Sequence, residues 1–343
     1  MDIRALSTLD EARALVDCVY AVYGLTFHRD YVYRPEQMLE LNRSGLVRSF
    51  LAFDGGRVIG HLAFLRPFFE LQRGGVPLAD PGIGEVGLSV VLPDAQHSGV
   101  QSALGHAMFR WAKADGKHSA MMKCVTNHTY SQRSGLAMGA RPLALFLAGV
   151  PQWVAHPQAG GGNDAPISTM LLYLPLAPAS GGEVRPPRGV PWLGALVAGA
   201  GLGRGLAEGG PAEEAPTDLE VEFQPAKRLA QVHVLQAGPD LAVRLDALNR
   251  WLIAGHMAHV SYFLPAASAQ VQAQAPALAE AGLFPAGWVP QLHAGGADAW
   301  VYSSLGPVSV DPASIVTHGD AGAALRDAVV AGWRAGAPGP AAG

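Results

Sequence analysis

Apolar positions recur along this chain in two rhythms, and the changes between them predict its elements. Leu9 to Tyr23 and Pro35 to Ser44 carry the helical period. Arg48 to Phe64 switches to two extended runs. Asp54-Gly55-Gly56 between them is a hairpin turn where positive φ is needed. The apolar run Val86 to Leu92 is a strand, and Pro93 stops it because proline cannot donate to a ladder. Near Gly99 the helical period returns, with Leu104, Ala107, Met108, Trp111 and Ala112 on one face. Ala120 to Val125 reads as a short strand.

The second half is punctuated differently. Pro157 to Pro166 and Ala177 to Pro216 are dense in Gly, Pro and Ala, with a strand at Ile167 to Leu174 between them. Gly199-Ala-Gly-Leu-Gly-Arg-Gly205 lacks the Gly-x-Gly-x-x-Gly spacing of a nucleotide loop and reads as connector. Beyond it, Glu220 to Phe223, Leu229 to Val234, His259 to Pro265 and Ala299 to Ser304 are strands. Leu241 to Leu252, Ala267 to Ala281 and Ala323 to Trp333 are helices. Pro276 predicts a break in the second of these, and Gly282 closes it. The expected organisation is a domain over 1–155, a strand and connector over 156–216, a second domain over 217–335 and a disordered tail over 336–343.

Composition narrows the chemistry. Hydrophobic residues make up 49% of the 343 and charged residues 15%, ample for two packed cores. A net charge of −4 gives no electrostatic footprint for nucleic acid or an acidic membrane surface. Cys18 and Cys124 are too few for a disulfide framework or a metal cage, which fits a reducing cytoplasm and predicts no metal. Gly189 to Leu202 is the longest apolar stretch, and Pro191 with four glycines makes it unfit to span a bilayer.

The candidate chemistry sits at residues 85–104. Gln96-His-Ser-Gly-Val-Gln101 joins a strand to a helix start, whose free N–H groups and partial positive charge suit a phosphate. Val91, Pro93, Gln96 and Gly99 fall at the spacing of the acyl-CoA pyrophosphate motif, so the stretch resembles the GNAT N-acetyltransferase superfamily. Gln101 stands where that family usually has a second glycine or alanine. The hairpin around Gly60 and the two helices before it resemble the same family. Asn127 to Gly139 is similar to the family's segment in which an asparagine begins a helix. The resemblance implies an α/β (α+β) GNAT fold: a mixed, mostly antiparallel central sheet flanked by helices. Ala281-Gly-Leu-Phe-Pro-Ala-Gly-Trp-Val-Pro290 echoes Met138-Gly-Ala-Arg-Pro142 and Ala148-Gly-Val-Pro151. The second half therefore resembles a degenerate GNAT copy, with a separate small α+β domain as the alternative.

The resemblance also implies a reaction: transfer of an acetyl group from acetyl-CoA to an amine of a small molecule or peptide by direct attack. Ser89 and Val91 would contact pantetheine through main chain, while Gln96, His97, Ser98, Gly99, Val100, Gln101 and Ser102 hold the pyrophosphate. Glu85 stands where many members carry a general base, or it is a solvated strand-end carboxylate. The position of the usual acid, a tyrosine, is taken by Gly135. His128 and Tyr130 are candidate replacements, and Asn127, His128 or Ser131 would orient pantetheine. Equally, Ser131 is a helix cap and Tyr130 a packed ring. Phe27, Tyr31 and Tyr33 lie where the acceptor site is usually built, or are core aromatics. Family habit allows a homodimer. A CoA-binding sensor or scaffold without turnover is the rival reading.

Overall fold

The structure, a computed structural model, describes residues 1–27, 29–154, 165–178 and 181–336. Most of the stretch 157–166, and the tail expected at 336–343 from residue 337 on, lie outside the described residues. The chain divides into two compact units, one built on Met1–Lys123 and the other on Cys124–Pro151, Ala165–Leu174 and the chain from 181 onwards. The division falls inside a strand, not at the boundary expected near 155.

The first unit contains β1 (Asp2–Ala5), α1 (Leu9–Tyr23), α2 (Pro35–Arg43), β2 (Val47–Asp54), β3 (Arg57–Leu65), a small hairpin of β4 (Gln72–Arg73) and β5 (Val76–Pro77), β6 (Ile83–Val91) and α3 (Val100–Ala114). It ends in β7 (Ser119–Val125). Local chemistry explains these boundaries. Thr8 and Glu11 form a reciprocal capping box at the start of α1. Gly55 and Gly56, with φ of 54° and 87°, make the two-residue turn between β2 and β3. The strand order is β1-β2-β3-β6-β7, antiparallel except for β6 with β7. Gly60 matters for the site. A Cβ there would stand 2.7 Å from Val100 Cγ1, so its absence lets the first turn of α3 settle onto β3.

The second unit continues with α4 (Tyr130–Ala137), β8 (Arg141–Val150), β9 (Ile167–Pro175), β10 (Gly182–Val184), α5 (Pro191–Ala200) and β11 (Arg204–Leu206). Then come β12 (Asp218–Gln224), β13 (Leu229–Gln236), α6 (Leu241–Ala254), β14 (His259–Pro265), α7 (Ala269–Glu280), β15 (Phe284–His293), β16 (Ala297–Leu305) and α8 (Gly319–Gly336). Its strand order is β9-β8-β15-β16-β14-β13-β12, with β13 and β14 the parallel pair. Among the described residues no helix is long and apolar enough to cross a membrane.

Two expectations are corrected here. The stretch read as connector holds α5, started by Pro191 at its first turn and closed by Gly201 at φ 60°. Leu193, Val197 and Ala200 form its buried stripe. Within the glycine-rich loop that follows, Arg204 makes a buried bidentate pair with Asp298, at 2.7 and 3.0 Å. Nor does Pro276 break α7, which runs unbroken through it. Proline removes the donor that the Gln272 carbonyl would have had, and the Arg188 N–H replaces it at 3.2 Å.

The second unit also reveals a repeat. Leaving aside the small β4–β5 hairpin, the succession β3-β6-α3-β7-α4-β8-β9 recurs as β12-β13-α6-β14-α7-β15-β16: β3·β6 and β12·β13 are antiparallel, β6·β7 and β13·β14 parallel, β8·β9 and β15·β16 antiparallel. The two last hairpins share their irregularities at one constant offset. The β8·β9 register shifts between Pro142 and Ala144 and again between Phe146 and Val150. The β15·β16 register shifts between Pro285 and Gly287 and again between Val289 and His293. Ala148 and Gln291, within the second shifts, have φ of 53° and 54°.

Candidate functional site

β6 and β7 share partner positions only from Ile83/Ser119 to Glu85/Met121, although β6 runs on to Val91. Past Glu85, β6 is also irregular on its other side. Between the pairs His61/Val90 and Ala63/Gly87, Leu62 alone faces both Leu88 and Ser89, which is a β-bulge. Leu88 has φ 52°, a conformation that costs a non-glycine residue about 1 kcal/mol or more and is held by its surroundings. Ser89 is exposed, and its carbonyl accepts a 3.4 Å hydrogen bond from the Tyr23 hydroxyl.

The strand leads through Pro93–Ala95 to α3. His97 and Gly99 both take left-handed conformations, with φ of 63° and 82°. The N–H groups of His97, Ser98, Gly99, Val100, Gln101 and Ser102 make no hydrogen bond to any described residue. Six successive donors at the positive end of a helix form an anion cradle. No acid stands in the first turn of α3 to fill it. Gln101 does not block the turn; its Oε1 accepts a hydrogen bond from Ser89 Oγ at 3.0 Å, back across to β6.

Glu85 is not a solvated carboxylate. It is mostly buried, 3.4 Å from Lys123 Nζ and 3.7 Å from Arg29, and Arg29 also reaches Glu70 at 3.2 Å. Neither cation was singled out by sequence reasoning. The signal was present in Lys123, the one charge in the apolar run Ala120 to Val125. Arg29 ties the segment after α1 to β6, and that segment carries the acceptor candidates. The Phe27 N–H donates to the Tyr33 hydroxyl at 3.0 Å, and the Phe27 ring packs edge-on against Tyr23. Tyr31 is buried against Phe69, and burial pushes its phenol pKa up.

Asn127, His128, Tyr130 and Ser131 belong to the second unit. Asn127 does not begin α4, which starts at Tyr130, and Ser131 does not cap it. Tyr130 is 68% exposed and so is not a packed core ring. His128 stands 5.1 Å from it, ring to ring, and burial lowers its pKa, which favours the neutral imidazole. Gln132 is fully buried and fastens the segment. Its amide nitrogen lies 3.0–3.2 Å from the carbonyls of Val125, His128 and Val316, and its oxygen accepts from the His318 N–H. Cys124 is buried with its thiol pushed up to about 11, which leaves it inert as a nucleophile.

Residues 14–134 match the family model of the acetyltransferase (GNAT) family. This region is a GNAT domain.

Solved structures similar to the chain include an N-acetyltransferase from Staphylococcus aureus, 13% identical, covering 51% of this chain and 99% of its own with a TM-score of 0.39. A ribosomal-protein-alanine N-acetyltransferase from Brucella melitensis is 15% identical with the same coverages and TM-score. An aminoglycoside 6'-N-acetyltransferase complexed with coenzyme A is 12% identical, covering 52% of this chain and 99% of its own at a TM-score of 0.37. No curated protein matches the chain. Within the first unit, the GNAT domain brings together Ser89, Gln101 and the turn from Gln96 to Ser102, and links Glu85 to the aromatic segment through Arg29. Among the described residues no group of three or more His, Cys, Asp or Glu side chains is placed to hold a metal.

Proposed function

We propose that this protein transfers an acetyl group from acetyl-CoA to an amine of a small molecule or peptide. The observation that carries the reading is the unfilled run of six N–H groups from His97 to Ser102, set at the end of a bulged strand that has parted from its neighbour. Acetyl-CoA supplies the activated thioester when bound. The turn from Gln96 to Ser102 would hold its pyrophosphate, and the main chain at Ser89 and Val91 its pantetheine arm. Phe27, Tyr31 and Tyr33 offer an apolar wall for the acceptor. Glu85, committed to Arg29 and Lys123, would set the local field and the position of that wall. The resemblance gives Asn127 and Ser131 to the cofactor, and gives proton transfer to His128 and Tyr130. A neutral imidazole has the lone pair such a step requires.

The second repeat is read as a degenerate GNAT copy that has lost the cofactor. Its helix start is partly satisfied from within and carries a carboxylate. Asp240 stands at the N-cap of α6 and accepts the Thr217 N–H at 2.7 Å, and Gln274 Oε1 accepts the Ala242 N–H at 3.0 Å. A carboxylate there repels a phosphate.

Purified full-length chain, acetyl-CoA and a panel of amines decide the matter, with release of free thiol as the readout. Thiol release with any acceptor supports the transferase. CoA binding by calorimetry without release across the panel favours the sensor reading, for which Gly135 in place of the usual tyrosine speaks. No binding of any CoA ester overturns both.

A further inference from the structure

The β6 bulge is held by a side chain that the functional reading has not used. His61, on β3, is 1% exposed, and its Nδ1 lies 2.7 Å from the Leu88 carbonyl. A carbonyl only accepts, so Nδ1 carries the proton and donates. Burial lowers the pKa of this ring to about 4, so the imidazole is neutral and Nε2 is a lone pair. That Nε2 is buried and has no hydrogen-bond partner among the described residues. An apolar side chain of similar size would fill the space without an orphaned polar atom. What it would not do is hold the Leu88 carbonyl.

Holding that carbonyl has a consequence one atom further on. The peptide unit is planar and trans, so the Ser89 N–H points opposite to the Leu88 C=O. With the carbonyl drawn to His61 on β3, the N–H turns away from β3. It does so past Glu85, where β6 and β7 have ceased to share partner positions. We infer that His61 is a positioning residue: through the Leu88 carbonyl it aims the Ser89 N–H at the carbonyl oxygen of the bound acyl thioester. This rests on the acetyl-transfer reading above. As the amine nitrogen attacks, negative charge gathers on that oxygen. The C–N bond forms, the C–S bond then breaks, and the thiolate takes up a proton while the amine gives one up. A donor fixed in advance stabilises that charge without reorganising.

The test uses His61→Leu, which removes the donor, and His61→Asn, whose amide nitrogen takes roughly the place of Nδ1. Two readouts are followed in the full chain: kcat and KM for thiol release, and the ratio of the dissociation constants of CoA and acetyl-CoA. His61→Leu is expected to lower kcat about 10²-fold, the loss typical of one misplaced oxyanion donor. It should leave CoA affinity within about threefold and abolish any preference for acetyl-CoA, a pattern global unfolding would not give. His61→Asn should recover most of both. Wild-type kcat and ratio in His61→Leu would overturn the inference, as would an Asn variant as impaired as the Leu variant while CoA still binds. A wild-type chain that binds acetyl-CoA without turnover sinks the transferase reading alone, because the affinity ratio still reports on His61. A wild-type chain that binds no CoA ester sinks both.

Discussion

Ala144 and Gly287 face each other across the antiparallel contact between β8 and β15, and each is the other's counterpart in the internal repeat. Equivalent residues that pair with one another mark a local two-fold relation between the two hairpins. The approach is close. A Cβ on Gly287 would lie 2.2 Å from the Leu143 carbonyl oxygen and 2.5 Å from Ala144 Cα, and its φ of 146° is one that L side chains rarely adopt.

Gly287→Ala is therefore expected to destabilise the fold by about 2–4 kcal/mol, since backbone on both sides must move. Denaturant unfolding measures it. Ala144→Gly, which removes a side chain instead of adding one, should cost about 1 kcal/mol. Equal midpoints for Gly287→Ala and wild type would show that the strands are not so close.

The Arg204–Asp298 pair is buried and bidentate, and Asp298 Oδ1 also accepts the Gln291 N–H at 2.9 Å. Either Arg204→Met or Asp298→Asn should cost about 3–5 kcal/mol, because the remaining partner is left without its match. The double variant should lose less than the two single losses added together. Strict additivity in that cycle would mean the two groups do not interact.

Gln101 spends its side chain on Ser89 at 3.0 Å, over the strand proposed to lie beside pantetheine. Gln101→Ala frees that surface and keeps the backbone donor. A single exposed hydrogen bond is worth about 0.5–1.5 kcal/mol, so CoA should bind roughly 2- to 10-fold tighter by calorimetry. Weaker binding would make Gln101 a ligand of the cofactor instead.

Gln132 serves three carbonyls and one N–H from a position with no exposure. Gln132→Leu takes this partner from all four groups, of which only the Val125 carbonyl bond is fully buried, and should cost about 1–3 kcal/mol. The His318 amide should also lose its protection in hydrogen exchange. Retained protection would show that the residues around His318 are held by other means.

Acid should weaken the protein at a milder pH than carboxylate titration alone would give. His61 and His293 are buried, and burial depresses both pKa values to about 4 from an ordinary 6.5. In the window between those values the unfolded chain binds protons that the folded chain refuses. Stability is complete above pH 6.5 and falls as pH drops toward 4, by on the order of 3 kcal/mol for each ring. Urea midpoints at pH 7 and pH 4.5 measure the loss. His293→Gln should flatten the dependence, and an unchanged slope would assign it to other groups.

The legible parts of the chain were those whose signals are local. Gly55-Gly56 turns the hairpin between β2 and β3. Pro93 and Gly99 bracket the turn proposed to hold the pyrophosphate, because each acts through backbone within a few residues. The candidate cradle was visible for the same reason. The partners of Glu85 were not, since Arg29 and Lys123 reach it from distant points in the sequence. β15 was hidden by Pro285 and Pro290, which argue against a strand until the neighbouring β8 and β16 are known.

The sequence by itself determined α1, α2, the β2–β3 hairpin, β6, α3 and β7, the turn with its free donors and the echo between Gly139-Ala-Arg-Pro142 and Gly282-Leu-Phe-Pro285. Periodicity, proline and glycine act at short range and need no partner to be read. Tertiary structure alone decided that Pro276 is tolerated, because the Arg188 N–H happens to reach the Gln272 carbonyl. It alone decided that the glycine-rich connector is anchored by a buried arginine, and that His61 meets the Leu88 carbonyl. Each depends on groups brought together from far along the chain, and pairing of buried polar atoms is settled only when the surrounding core excludes water.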